Sequence, residues 1–341
     1  MKRAVAGSIL ILMFVVFASI LTTAAFAQEK AITLRFTNIF PVGSKDSNIS
    51  DQWCKEVEKR TNGAVKVRYY PASTLVSPPQ VYESVVRGVV DVGNHVLNYT
   101  MGKFPLSEVL DYPLGYPSGI VATKLMNEYY RKFKPKEFDE VKVMYFHGQS
   151  PGILQTKKPV NKMEDLKGMK IRTSGTTVGF ISALGGSPVA LPMPDAYDAI
   201  SKGVADGITA PYNALEKWKL AEVIKYTTEN HGTAYSSTFL IAMNKDKWAS
   251  IPPQHQKTIE QINQEWIERH GKVWDETDKE GKEYTLKKGN KIIRLSAEEE
   301  ARWVVKIQPM FEEYVKKMKE RGLPGDEILK FARDYLKAQP K

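Results

Sequence analysis

Residues 169–176 read Met-Lys-Ile-Arg-Thr-Ser-Gly-Thr. Met169 and Ile171 alternate with Lys170 and Arg172, as in a strand, and Thr176 to Leu184 then carries a helical pattern. The spacing sets Arg172 at the carboxyl end of a strand just before a helix start. In open α/β sheets that edge is where ligands bind. A guanidinium there offers a planar fork that matches a carboxylate in two parallel hydrogen bonds, and the free N–H groups of the next helix add to the positive field. The same arginine can instead be half of a structural ion pair with an Asp or Glu, and the residues alone leave both readings open.

Working outward, the strand-then-helix rhythm recurs on both sides. Ile32, Leu34 and Phe36 alternate over Ala31 to Phe36, Pro41-Val42-Gly43-Ser44 breaks the run, and a helix ends near Thr61-Asn62-Gly63. Val65, Val67 and Tyr69 form a second alternating strand stopped by Pro71, a helix over Pro79 to Arg87 closes on Gly88, and Val89 to Gly93 returns as a short strand. Val141 to Phe146 and Ser237 to Met243 are strand-like, and Asp195 to Lys202 is helix-like. Strands separated by helices imply βαβ units, hence an α/β fold with mainly parallel sheets flanked by helices. From Pro253 onward Ile259, Ile262, Trp266 and Ile267 share a helical face, and Trp303 to Val315 continue the pattern, predicting long C-terminal helices that brace the rest.

The chain has 341 residues, more than one core usually serves, so two lobes are expected. Its start reads as an export signal: Lys2 and Arg3, an apolar Ile9 to Leu21, then Ala25-Phe26-Ala27 for cleavage. A membrane anchor is the competing reading, but the apolar run falls short of the roughly 20 residues needed to span. The expected location is therefore the periplasm, with no membrane insertion after cleavage. The formal charge of +10 would suit nucleic acid or anionic lipid, yet the basic runs are interleaved with acids, as at Lys316 to Arg321 around Glu320, which is the pattern of solvated helices. No nucleic-acid partner is expected.

Cys54 is the single cysteine, so an internal disulfide and a multi-cysteine metal site are excluded. Its spacing with Ile49, Trp53 and Val57 predicts a buried small hydrophobe rather than a nucleophile. No Gly-x-Ser-x-Gly, phosphate loop or His-Glu-x-x-His occurs. His95, His147, His231, His255 and His270 lack metal-ligand spacing, with His147 the one that would serve an enzyme. The expectation is a chain that is not an enzyme, without cofactor or metal.

Several separated stretches together resemble the solute-binding proteins of tripartite ATP-independent periplasmic (TRAP) transporters, the DctP family. They are Thr61-Asn62-Gly63, Tyr70-Pro71-Ala72-Ser73-Thr74-Leu75, Lys158-Pro159-Val160 with Glu164 to Arg172, and Gly203-Val204-Ala205-Asp206-Gly207, in order from about residue 31 to 320. The resemblance implies a two-lobed, periplasmic-binding-protein-like clamp that closes on a small carboxylate and presents it to a membrane permease. It also implies that Arg172, in the position of the family's Lys-x-Arg strand, salt-bridges the ligand. Lobe I is expected over 28–149 plus about 239–280, and lobe II over 150–238 plus about 281–335, after the 1–27 signal, as a monomer. The same signature would fit a periplasmic sensor or co-receptor, and less readily a periplasmic enzyme.

Two departures bear on the ligand. Sialic-acid and dicarboxylate members carry a second arginine where this chain reads Gln149-Ser150-Pro151-Gly152, and an asparagine where it has Ala210. A ligand polar group left unpaired there would cost about 1–3 kcal/mol, which favours a monocarboxylate with a compact or aromatic body, or a hydroxy or keto acid. Candidates for contact are Tyr212 and Asn213, which follow Pro211 at a strand end, with Gln149 and Gly152 near the lobe crossover. Phe36, Asn38 and Phe40 on the first loop, Tyr99, Met193 and Trp218 are further wall candidates, each equally able to sit in the core.

Overall fold

The computed structural model describes residues 31–339, so the export-signal reading lies outside the described residues. Two mixed sheets carry the fold. The first has the order β2-β1-β3-β10-β4, from β1 (Ile32–Thr37), β2 (Val65–Tyr70), β3 (Val92–Val96), β4 (Val141–Gly148) and β10 (Thr238–Asn244). The second has the order β11-β9-β5-β8-β6-β7, from β5 (Ile153–Thr156), β6 (Lys170–Thr173), β7 (Ser187–Ala190), β8 (Gly207–Ala210), β9 (Tyr226–Glu229) and β11 (Lys291–Arg294).

Each sheet is parallel except for one strand, β10 in the first and β5 in the second. The exceptions have one cause. The chain leaves the first sheet at the carboxyl end of β4 and enters the second through β5, then returns through β10. A strand entering from the side where the others end must run against them. Accordingly Ile153 at the start of β5 pairs with Ala210 at the end of β8, and Thr238 at the start of β10 pairs with Gly148 at the end of β4. The carboxyl ends of both sheets thus meet at the crossovers, where α/β folds place ligands.

The expected strand around Val89 begins later, at Val92, because the chain first turns through Gly88 at φ +69°. The helix expected over Pro79 to Arg87 opens as a 3₁₀ turn at Pro78–Gln80 before Val81–Val86, since the two prolines supply no N–H. Cys54 is buried against Trp53 and Val57, and burial pushes its thiol pKa well up.

Helix Pro253–Lys287 packs on helices Lys45–Arg60 and Gly119–Phe133 of the first unit and on Asn213–Lys217 of the second. Gly281 permits the last contact, for a Cβ there would lie 2.5 Å from the Tyr212 carbonyl oxygen. The segment 281–335, expected to go with the second lobe, divides. β11 joins the second sheet, whereas helix Gly325–Lys337 packs on Gly119–Phe133, with Phe331 and Phe133 edge to face at 5.5 Å. No helix among the described residues is long and apolar enough to cross a membrane.

Asp111 ties the return crossover, its Oδ1 accepting from Thr238 N at 2.7 Å and Thr238 Oγ1 at 2.6 Å. Burial raises its pKa from 3.8 to about 7 despite those bonds. An acid with a folded pKa above its unfolded value binds more protons when folded, so the contribution of Asp111 to stability is fully present below about pH 4 and is lost as pH rises through 7. Between pH 5 and pH 8 the parent should therefore lose urea stability relative to Asp111→Asn, whose midpoint lacks this component of the pH slope. An unchanged slope in the variant would count against this assignment.

Candidate functional site

A small cavity lies at the crossovers, between the carboxyl ends of the two sheets. About 50 Å³ is open to the centre of a water-sized sphere, enough for a few waters or a compact ligand group. A larger outer groove of about 920 Å³, between helices Gly119–Phe133 and Pro253–Lys287, is lined by many charged side chains such as Lys124, Glu128, Arg131 and Glu268 and is open to solvent. Unlike the outer groove, the crossover cavity carries buried, unpaired polar groups on its wall.

The polar end is built on the second sheet. Arg172, the third residue of β6, is 3% exposed and donates through Nε and Nη2 to Leu191 O at 2.9 and 2.6 Å. Among the described residues no carboxylate pairs with it, so the ion-pair reading has no partner. Two further groups on this wall lack hydrogen-bond partners, Gln149 Nε2 and Thr209 Oγ1. Tyr235 ties the cluster together: its hydroxyl donates to Thr209 O at 2.9 Å and lies beside the Gln149 amide. A buried cation with two orphaned polar atoms is costly unless something supplies acceptors.

The remaining walls are largely aromatic. Phe40 meets Phe239 at 5.5 Å and Trp274 at 5.7 Å, and Tyr99, Trp218 and Met193 complete the surface. The Met193 backbone N–H donates to the Tyr99 hydroxyl oxygen at 3.0 Å, so this contact crosses from the first unit to the second. Asn213 lines the cavity while donating its Nδ2 to Thr277 at 3.1 Å.

Of the residues singled out in the sequence, Arg172, Gln149, Met193, Asn213, Phe40, Tyr99 and Trp218 line this cavity. The other four lie behind it. Phe36 points into the first core against Trp53 and Tyr69, because it sits inside the β1 alternation. Asn38 accepts from Phe40 N at 3.1 Å and donates to Ser50 at 2.9 Å, shaping the turn that delivers Phe40. Gly152 bridges to Tyr235, where a Cβ would fall 2.1 Å from the ring. Tyr212 turns back to donate to Glu229 at 3.0 Å.

His147 also stands behind the wall. It stacks on His270 at 3.9 Å and on Phe239 at 4.7 Å, and its Nδ1 accepts from Trp274 Nε1 at 2.9 Å. Burial first, then His270 and Lys217, hold its pKa well below the ordinary range. It is a neutral ring that fixes Trp274. Among the described residues no cluster of three or more His, Cys, Asp or Glu is arranged for a metal.

Sequence reasoning missed Thr209, Tyr235, Phe239, Trp274 and Lys217. Trp274 had a signal, lying eight residues after Trp266 on the buried stripe of the long helix. Lys217, in an ordinary Leu-Glu-Lys-Trp run, had none.

The profile of DctP, described as bacterial extracellular solute-binding protein, family 7, matches residues 41–318. A Comamonas testosteroni protein named outer membrane transporter protein TsaT is 25% identical over 92% of this chain and 94% of its own. A TRAP solute-binding protein of Rhodoferax ferrireducens, solved with copurified benzoate, is 29% identical with TM-score 0.85, covering 90% of this chain and 98% of its own. A marine-metagenome TRAP solute-binding protein described as specific for aromatic acids, solved with metahydroxyphenylacetate, is 29% identical with TM-score 0.86, covering 91% and 100%.

Proposed function

The chain belongs to the DctP family of TRAP-transporter solute-binding proteins, and we propose that it captures an aromatic monocarboxylate in the crossover cavity and hands it to membrane permease subunits. The observation that carries this is the buried Arg172 guanidinium without an acid partner, beside the unpaired Gln149 Nε2 and Thr209 Oγ1. A ligand carboxylate would take the free edge of the fork and accept from Gln149 and Thr209, supplying what the wall lacks.

Charge counting supports one carboxylate rather than two. Lys217, the other cation on the cavity wall, is already paired with Asp46. One uncompensated positive charge remains, which one carboxylate neutralises. The rings of Phe40, Tyr99, Trp218, Phe239 and Trp274 favour an aromatic body. The benzoate and metahydroxyphenylacetate bound by the two related structures agree with that choice.

The lobes of the clamp would be the two sheet units, 31–149 with about 239–280 and 150–238 with β11, the C-terminal helices bracing both. Binding without turnover is supported by the wall itself, where the nearest imidazole, His147, is engaged with Trp274. Delivery from the periplasm follows the family's role.

Thermal melts and calorimetry with benzoate, 3-hydroxybenzoate, mandelate, succinate and glucuronate test the proposal. At about 100 times Kd an aromatic monocarboxylate should stabilise the fold by roughly 2.7 kcal/mol, a Tm rise of roughly 4–8 °C. Larger shifts with succinate or glucuronate than with every aromatic acid would overturn it.

A further inference from the structure

Lys217 closes the short helix Asn213–Lys217, and its side chain is 6% exposed. Its ammonium pairs with Asp46, itself fully buried in the first turn of helix Lys45–Arg60. The pair therefore joins an element of the first unit to one of the second. The nitrogen also stands 4.7 Å from the Phe40 ring centre and 4.8 Å from that of Trp274, two of the rings that wall the cavity.

An ammonium carries three N–H donors and no acceptor. Asp46 takes one direction, and among the described residues no further hydrogen bond satisfies the others. Burial pulls the lysine pKa down, and Asp46 opposes that pull without cancelling it. The immediate partners of Lys217 are Asp46, Phe40 and Trp274, whereas those of Arg172 are Leu191 and, through its field, Tyr235. The two cations share no partner, so they form separate polar stations on one cavity wall.

We propose that Lys217 is a specificity-determining residue that donates to a hydroxyl or oxo oxygen on the ligand ring while Arg172 holds the carboxylate, making oxygen-substituted aromatic monocarboxylates the preferred class. This rests on the function proposed above. A second carboxylate at Lys217 is disfavoured because Asp46 already balances its charge, whereas a neutral oxygen adds an acceptor without adding charge. A methyl group in the same place would leave the buried donor unpaired, which costs about ten-fold or more in affinity.

The test is calorimetry with 3- and 4-hydroxybenzoate and their methyl isosteres, 3- and 4-methylbenzoate. The parent should bind one hydroxy isomer at least about ten-fold more tightly than its methyl isostere. In Lys217→Met with Asp46→Asn, which removes both charges of the pair, that ratio should collapse to about two-fold or less. Lys217→Gln with Asp46→Asn keeps an amide donor and should restore part of the ratio, also serving if the first variant does not fold. A parent that binds benzoates without a hydroxyl preference overturns the inference but leaves the proposed function standing, as does a preference that survives in both variants. Binding of no benzoate at all overturns this inference, and the proposed function falls with it only if succinate or glucuronate also binds better than mandelate.

Discussion

Arg172→Met is expected to reduce affinity for the cognate acid by about 30- to 4,000-fold, corresponding to the roughly 2–5 kcal/mol lost when one member of a buried charge pair is truncated. The size follows from burial. Arg172 is 3% exposed and meets no carboxylate among the described residues, so the ligand would be its sole counter-charge. Arg172→Lys keeps the charge but loses the planar fork, and should fall between parent and Met variant. Without ligand the Met variant should melt within a few degrees of the parent, because losing the Leu191 contact is offset by removing an uncompensated buried charge. Calorimetry with the best acid of the panel and melts of the free protein read both arms. Unchanged affinity in Arg172→Met would rule out the arginine as the carboxylate contact.

Asp46→Ala carries the largest expected cost in stability, about 3–5 kcal/mol, since it strands the Lys217 ammonium between Phe40 and Trp274. Lys217→Met in the same chain should recover most of it, because the pair is then replaced by groups with no charge to desolvate. The cost should also shrink as pH rises. With Asp46 gone, burial is opposed only by the weaker field of Asp278, so the Lys217 pKa, already lowered in the parent, falls further below the unfolded value, the unfolded chain binds more protons, and stability of the variant increases with pH. Urea unfolding of the parent, the single variant and the double variant at two pH values reads the coupling directly. Equal losses in the single and double variants would mean that the ion pair is not what makes this position sensitive.

The two expectations differ in how they connect to the sequence. Arg172 is legible because its placement depends on neighbours within a few residues: an alternating strand, a Ser-Gly break and a helix start. The same local logic yields the strand-and-helix rhythm, the buried setting of Cys54 and the long helices after Pro253. It fails at Phe36 and Phe40, which look alike in sequence but separate in space. Phe36 lies inside the β1 alternation and goes to the core, while Phe40 follows a turn set by Asn38 and reaches the cavity.

Strand periodicity, turn residues and the order of motifs are properties of short segments, and from them the sequence by itself determined the α/β class, the family resemblance and the arginine at a sheet edge. The reversal of β5 and β10, the retreat of Tyr212 and Gly152 behind the wall, and the pairing of Lys217 with Asp46 were decided only by tertiary structure. Each depends on where the chain crosses between sheets, and so on contacts between segments far apart in sequence. A lysine in Leu-Glu-Lys-Trp looks solvated until an aspartate from the other sheet unit and two aromatic rings close over it.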